Sequence, residues 1–121
     1  ADIPHLAESD FFGTASGNRM KDKFERSGMH AVKSERVDAP IIEEYPITLE
    51  CKVDKIQKDE DGFRVVGEIV NVLADESVLD DNGKVDPTKL NAFVFDQFQN
   101  GYYAIGEKVG EAWKSGNKYM K

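Results

Sequence analysis

The chain has 121 residues, 40% of them hydrophobic and 32% charged, with a formal net charge of −7 at pH 7. This length suits a single domain over 1–121, and the acidic balance argues against nucleic-acid and anionic-membrane binding. No apolar run reaches the ~18 residues of a membrane span, and the first residues lack the basic and apolar regions of a signal peptide. The single cysteine, Cys51, excludes an internal disulfide and fits a reducing compartment, so we expect a cytoplasmic protein.

Positive charge is concentrated in residues 18–36, which hold six bases and three acids, a net charge of 6 − 3 = +3. Such a basic island can attract a small anionic ligand, but it also fits the solvent-exposed face of an amphipathic helix. Met20 and Phe24 are four residues apart and share a helical face, and Gly28 is a natural C-cap. We therefore expect a short helix over 19–28.

Alternation of apolar and polar residues predicts a long β-hairpin in the middle of the chain. A half-buried strand begins near residue 47, and its apolar face carries Ile47, Leu49, Cys51 and Val53. The turn-rich sequence at 59–62 leads to a second strand over 63–74, apolar on both faces, as in a barrel wall covered by a helix or a partner subunit. We assign Phe63, Val65, Ile69 and Leu73 to one face of this strand. We assign Val66, Val70 and Val72 to the other face. Gly67 lies in mid-strand, where a bulge or a close backbone approach is expected.

Two segments beside this hairpin are rich in residues that interrupt regular structure. Pro40 and Pro46 bracket a stretch that we expect to form about one helical turn. Residues 75–90 are acidic and rich in turn residues. Their LDDNGK sequence invites a calcium interpretation, but it fails the EF-hand pattern because Gly83 at loop position six would put Lys89 at position twelve.

The sequence of the C-terminal third predicts a second β-hairpin and a second helix. Short strands are expected on either side of an Asn100-Gly101 turn. Val109, Ala112 and Trp113 have helical spacing, which predicts a helix over 107–116 that ends at Gly116.

The sequence offers little support for nucleophilic catalysis or metal binding. Cys51 lies on the apolar side of its strand, where a small core residue is expected rather than a reactive thiol. His5 and His30 are isolated in sequence, and no cluster has the spacing of a zinc site. The chain has neither a GxGxxG sequence nor a P-loop, so it has no recognisable dinucleotide or nucleoside-triphosphate site.

A loop of small residues precedes the helix in the basic island. In GTASGNRMKDKF, backbone amides at a helix start, the Ser16 hydroxyl, the Asn18 amide and nearby cations could together hold a phosphate group. The same residues also fit an ordinary helix start, with Ser16 or Asn18 as the N-cap and the glycines forming the turn.

Four sequence blocks, taken together and in order, resemble the flavin reductase-like family and within it the flavoredoxin-type proteins. These blocks are DFFGTASGNRMKDKFERSGM, HAVKSERVDAPIIEEYPITLEC, VVGEIVNVLADESVLDDNGKVDPTKL and FDQFQNGYYAIGEKVGEAW. The resemblance covers essentially the whole chain. It implies a mainly β fold with short flanking helices, an FMN-binding split β-barrel that forms a homodimer.

The resemblance also implies a function and a set of cofactor-binding residues. Members of the family pass a hydride from NADH or NADPH to FMN, or carry electrons onward to a redox partner protein. The flavin performs that chemistry, and the protein binds and orients it. Carried over residue by residue, the FMN phosphate and ribityl chain would lie beside Ser16, Gly17, Asn18, Arg19 and Lys23.

The sequence departs from the family pattern in length and at single positions. The N-terminal strands that grip the isoalloxazine have no counterpart, so we expect the C-terminal part of a split barrel that on its own is inactive and binds FMN weakly or not at all. Leu73 stands where a histidine is common, and the loop has one residue more before Asp22. The function is therefore either an FMN-dependent oxidoreductase or, alternatively, a non-catalytic binding module that keeps the scaffold without flavin.

Overall fold

The computed structural model describes residues 1–120 and contains two short α-helices and three two-stranded antiparallel ribbons. A 3₁₀ turn at Ile3–His5 leads into α1, and the α-helices are α1 (Leu6–Thr14) and α2 (Lys23–Ser27). The ribbons pair β1 (Ala31–Lys33) with β2 (Pro40–Ile42), β3 (Ile47–Asp59) with β4 (Gly62–Ala74), and β5 (Phe93–Asp96) with β6 (Gly101–Ala104). Further 3₁₀ turns lie at Glu76–Val78 and Asn117–Tyr119. Within the described chain the three ribbons remain separate sheets.

The predicted hairpin is confirmed as the β3–β4 ribbon, whose two strands have 13 residues each. Its register shifts twice, between Glu50 and Cys51 and between Val53 and Lys55. Gly67 pairs with Val53 at the second shift, and a Cβ atom added to Gly67 would lie 3.2 Å from the Cβ of Cys51. The expected bulge and close approach at this glycine are therefore confirmed, since a side chain here would crowd the facing strand.

The two register shifts decide which side chains share a face of the hairpin. Paired residues of an antiparallel ribbon lie on the same face. We call the apolar face the one that carries Leu49, Cys51, Val53, Ile56, Phe63, Val65, Ile69 and Val72. Val72 pairs with Leu49 and so lies on the apolar face, whereas Leu73 pairs with Thr48 and lies on the opposite face. The sequence-based assignment of Val72 and Leu73 to faces was wrong, because it assumed an unbroken alternation.

Very little of the chain is buried. Met29 and Val78, which expose 8% and 4% of their surface, are the buried hydrophobic side chains among residues 1–120. On the apolar face Leu49 is 50% exposed and Phe63 is 70% exposed. The expected half-burial of this strand is wrong for the chain alone, and Cys51 is exposed rather than part of a core. The reason is that the other described elements leave most of the apolar face uncovered.

Three local predictions differ from the structure. Residues 107–116 form loops and turns instead of a helix, and Trp113 is 94% exposed with φ 60°. A helix this short is marginal without a surface to pack on. Residues 40–46 begin as strand β2 rather than a helical turn, since a proline is tolerated at the start of an edge strand. The helix expected over 19–28 begins only at Lys23, although Gly28 ends it in the left-handed conformation, as predicted.

The C-terminal ribbon and the acidic loop agree with the sequence. The β5–β6 ribbon turns at Asn100, whose φ is 51°. In the acidic loop, Asp80 accepts hydrogen bonds from the amides of Asn82 and Lys84 at 2.8 and 2.9 Å. The bond from Lys84, followed by that from Asn82, lowers the pKa of Asp80. This carboxylate therefore stabilises a turn.

Glu50 joins the root of the long hairpin to the β1–β2 ribbon. Its carboxylate accepts hydrogen bonds from the Ser34 hydroxyl and, at 2.5 Å, from the Asn71 amide. Ser34 Oγ in turn accepts the amides of Arg36 and Val37 at 2.9 and 3.0 Å. Ser34 and Glu50 are 5% and 4% exposed. The hydrogen bond from Ser34, and then that from Asn71, holds the pKa of Glu50 below its usual range.

Replacing Glu50 by Gln should lower the thermal midpoint at neutral pH by several degrees, because an amide is a weaker acceptor and brings a donor without a partner. The lowered pKa means that the carboxylate stabilises the fold above the ordinary glutamate pKa. That contribution is lost as the pH falls through the lowered value. Thermal unfolding followed by circular dichroism, from neutral pH to about pH 3, should show this acid-side loss in the wild type and not in Glu50→Gln.

The matched control is Glu68→Gln, an exposed carboxylate that faces Lys52 across the same hairpin. It should keep both the wild-type midpoint and the acid-side loss. Equal acid profiles for the wild type and Glu50→Gln would contradict the assignment of this loss to Glu50.

Candidate functional site

The candidate phosphate loop, residues 15–20, connects the end of α1 to the approach to α2. The carbonyl of Ser16 accepts the amides of Arg19 and Met20 at 3.1 and 2.9 Å, which closes a tight turn. Ser16, Gly17, Asn18 and Arg19 are all exposed. A Cβ atom added to Gly17 would meet no atom within 4 Å, so this turn faces open space.

The turn contains backbone N–H groups that are not used in backbone hydrogen bonds. Within residues 1–120, the amides of Gly17 and Asn18 have no backbone hydrogen-bond partner. They belong to this turn and not to α2, which begins at Lys23. The expectation that the donors come from a helix start is therefore corrected: the turn itself presents them.

Lys23 anchors the loop to the helix before it. Its ammonium group donates to the carbonyls of Phe12 at 2.6 Å and Ala15 at 2.7 Å, and it lies 5.9 Å from the centre of the Phe12 ring. These carbonyls are at the C-terminal end of α1, where the helix dipole favours a cation. The Phe12 ring also stacks on Phe24 of α2 at 6.0 Å. Sequence reasoning missed this anchoring role, because no local pattern shows that residues 12, 15 and 23 meet.

The charges of the basic island are not equivalent. Arg26 donates to Asp22 at 2.7 Å, which lowers the pKa of Asp22, and Lys33 lies 3.3 Å from Asp38. Arg19 forms no ion pair with the part of the chain that the structure describes. An anionic group that approached the candidate phosphate loop would therefore meet Arg19 as an uncompensated cation.

The two histidines have carboxylate partners. His5 Nδ1 lies 2.5 Å from Asp2, and His30 Nδ1 lies 2.7 Å from Glu44, whose pKa is lowered mainly by this hydrogen bond. Across residues 1–120 no group of three or more His, Cys, Asp or Glu side chains could hold a metal ion. No helix in the same stretch is long and apolar enough to cross a membrane.

A comparison with protein families decides what kind of domain this is. The model of the flavin reductase like domain matches residues 4–93. The chain belongs to the flavin reductase-like family. The match includes α1, the candidate phosphate loop and the whole β3–β4 hairpin.

Solved structures with the same fold include two flavoredoxins. The flavoredoxin of Desulfovibrio vulgaris (Miyazaki F) is 35% identical with a TM-score of 0.83, and the match covers 95% of this chain and 61% of that one. The flavoredoxin from Methanosarcina acetivorans is 26% identical with a TM-score of 0.87, and the match covers 98% of this chain and 62% of that one. The predicted mainly β, split-barrel fold is confirmed.

A further relative is a longer protein than this chain. The uncharacterized protein YdfE of Bacillus subtilis (strain 168) is 29% identical over 98 residues, which are 78% of this chain and 46% of YdfE. The chain thus spans about half of this relative and, as above, about three fifths of the flavoredoxins.

Replacing Lys23 by Met should loosen the candidate phosphate loop, because Met keeps most of the aliphatic stem and removes the donors to both carbonyls. We expect a loss of stability of about 1–2 kcal/mol and faster hydrogen exchange at the amides of Arg19 and Met20. The control is Lys21→Met, an exposed lysine two residues away. Equal exchange rates in the two variants would show that Lys23 does not anchor the loop.

Proposed function

We propose that the gene product containing this chain is an FMN-binding oxidoreductase. It would move a hydride or electrons between NADH or NADPH, FMN and an acceptor, which could be a redox partner protein. Membership of the flavin reductase-like family and the similarity to two flavoredoxins support a flavin-related function. Bound FMN would supply the redox chemistry, and the residues of this chain would bind and orient it.

The observation that carries this proposal is the geometry of the candidate phosphate loop. The exposed turn offers the free amides of Gly17 and Asn18 together with the Ser16 hydroxyl. Arg19 supplies a cation that no described acid neutralises. Lys23 uses two of its three ammonium protons on backbone carbonyls, so one proton remains for an oxygen of the ligand. This set of donors suits a terminal phosphate, which distinguishes FMN from riboflavin.

A second candidate function is a binding module that shares the scaffold without holding flavin. It is favoured by the large exposed apolar face and by the position of Leu73. Leu73 lies near Glu50 in a cleft that is also lined by Ile41 and Asn71. An aliphatic side chain there offers no group that exchanges protons. Flavin content separates the two functions, since only the first gives a yellow protein.

Arg19→Ala should weaken FMN binding by tenfold or more and leave riboflavin binding unchanged, since a charge-assisted phosphate contact is worth roughly 1.5–3 kcal/mol. Titrations of flavin fluorescence on the gene product that contains these residues measure both affinities. The matched control is Arg26→Ala, which removes a cation already paired with Asp22 and should change neither affinity. Equal losses for FMN and riboflavin would contradict a phosphate contact.

We further propose that a second copy of the chain covers the apolar face. Eight apolar or thiol side chains form it, and monomers rarely leave a patch of several hundred Å² uncovered. The opposite face is less suited to such packing, because beyond the register shift after Glu50 its paired residues include Lys52, Lys55, Glu68 and Arg64 beside Val66. The paired residues of the apolar face include one charged side chain, Lys58. A dimer would therefore form through the apolar face, with residues 63–74 in or beside the interface.

Val65→Lys should shift the 121-residue chain from dimer to monomer at micromolar concentration, because it places a charge on the apolar face beside Ile56. Size-exclusion chromatography with light scattering gives the mass. Gln57→Lys, on the opposite face, should leave the dimer intact. As a second measurement, the exposed thiol of Cys51 should react more slowly with a thiol reagent as concentration rises. A wild-type monomer with a concentration-independent thiol rate would refute the dimer.

A further inference from the structure

A hydrogen bond joins the C-terminal ribbon to the first helix. The hydroxyl of Tyr102 donates to Asp10 Oδ1 at 2.6 Å, across a sequence separation of 92 residues. The Tyr102 ring is held from its own ribbon, edge-on to Phe93 at 5.3 Å and tilted against Phe95 at 5.6 Å. The hydroxyl is therefore presented to Asp10 by a ring whose position is already fixed.

Asp10 lies in the part of α1 that leads into the candidate phosphate loop. Its backbone carbonyl accepts the Thr14 hydroxyl at 2.9 Å, and the amide of Ala15 donates to Phe11 at 2.9 Å. The loop begins at Ala15, so a displacement of this helical end displaces the loop.

Packing alone does not hold α1 in place, because none of its residues is buried. Hydrogen bonds therefore add to the partial packing of the helix, in which Phe12 stacks on Phe24. At its start the amide of Ile3 donates to the Asn91 carbonyl at 2.9 Å, and at its end Lys23 donates to Phe12 and Ala15. Asp10 lies between these two points along the chain. Its bond to Tyr102 connects the C-terminal half of α1 to the β5–β6 ribbon.

We propose that Tyr102 is a positioning residue that sets the candidate phosphate loop, and so the affinity for a flavin phosphate, through Asp10. This inference rests on the proposed function for its ligand. The hydroxyl of Tyr102 binds Asp10 of α1, so its effect on the loop passes along this helix. The C-terminal ribbon thereby contributes to a site that is otherwise formed by residues 15–23.

The neighbouring tyrosine provides a matched control. Tyr103 pairs with Val94 and points to the other face of the ribbon, where its hydroxyl donates to Gln99 at 3.1 Å. Tyr102→Phe and Tyr103→Phe therefore remove the same hydroxyl from adjacent residues, and both keep the aromatic ring. Only the first removes the bond to α1.

We expect Tyr102→Phe to weaken FMN binding about three- to tenfold, to leave riboflavin binding unchanged and to speed hydrogen exchange at the amides of Arg19 and Met20. Tyr103→Phe should change none of these. Asp10→Asn keeps an acceptor oxygen and should stay close to the wild type, whereas Asp10→Ala should match Tyr102→Phe. The double variant Tyr102→Phe/Asp10→Ala should be no worse than either single one.

Two results would overturn the inference: equal loop exchange in the two tyrosine variants, or a parallel loss of FMN and riboflavin affinity in Tyr102→Phe. Hydrogen exchange is measured on the chain without flavin, so it reports on the tie whatever the ligand. A gene product whose wild type binds no FMN would refute the proposed function. Faster loop exchange in Tyr102→Phe alone would still support the tie in that case.

Discussion

The β3–β4 hairpin has more apolar surface than the rest of the described chain covers. Each strand has 13 residues, and on the distal half of the apolar face Val53, Ile56, Phe63 and Val65 are each more than half exposed. Burial of apolar surface is the main force that folds small domains. This chain therefore gains little of that force internally, and the position of each smaller element depends on other interactions. Because the apolar face is largely exposed, we propose that a second copy of the chain packs against it.

Hydrogen bonds in which one partner is charged take over part of the role of a core. Glu50 fastens the β1–β2 ribbon to the hairpin, Lys23 fastens α2 and the loop to α1, and Tyr102 fastens the C-terminal ribbon to α1. Hydrogen bonds of this type are stronger than those between neutral groups. They are also directional, so they fix geometry where the apolar contacts are too few to do so. In sequence, the candidate phosphate loop lies between Asp10, which binds Tyr102, and Lys23, which binds the end of α1.

This arrangement connects the scaffold to the proposed chemistry. A loop that binds phosphate must present its donors in a fixed geometry, although its own backbone has only one closed turn. In our proposal this geometry depends on α1, which Asp10 joins to Tyr102, 92 residues away in sequence. Family membership supports a flavin-related function, and we propose that the donors of residues 16–19 bind the FMN phosphate.

The sequence alone determined the local features whose physical cause is local. Period-two alternation predicted the hairpin, Gly67 predicted the bulge, and Asn100-Gly101 and Gly28 predicted a turn and a helix end, because backbone conformation at these residues depends on near neighbours. The four ordered motifs also gave the family. A loop before the helix was likewise expected from the small residues at 13–17, whereas the contact of Lys23 with the end of α1 was not.

Only the tertiary structure decided which side chains meet and which stay exposed. Glu50 looked like a solvent-facing residue of an alternating strand, yet it is buried because Ser34 and Asn71 reach it. Cys51 looked like a core residue, yet it is exposed because the other described elements leave most of its face uncovered. The expected helix over 107–116 does not form, and its apolar residues Val109 and Trp113 are almost fully exposed. Burial and long-range ties are properties of packing between distant segments, and a pattern of neighbouring residues does not contain them.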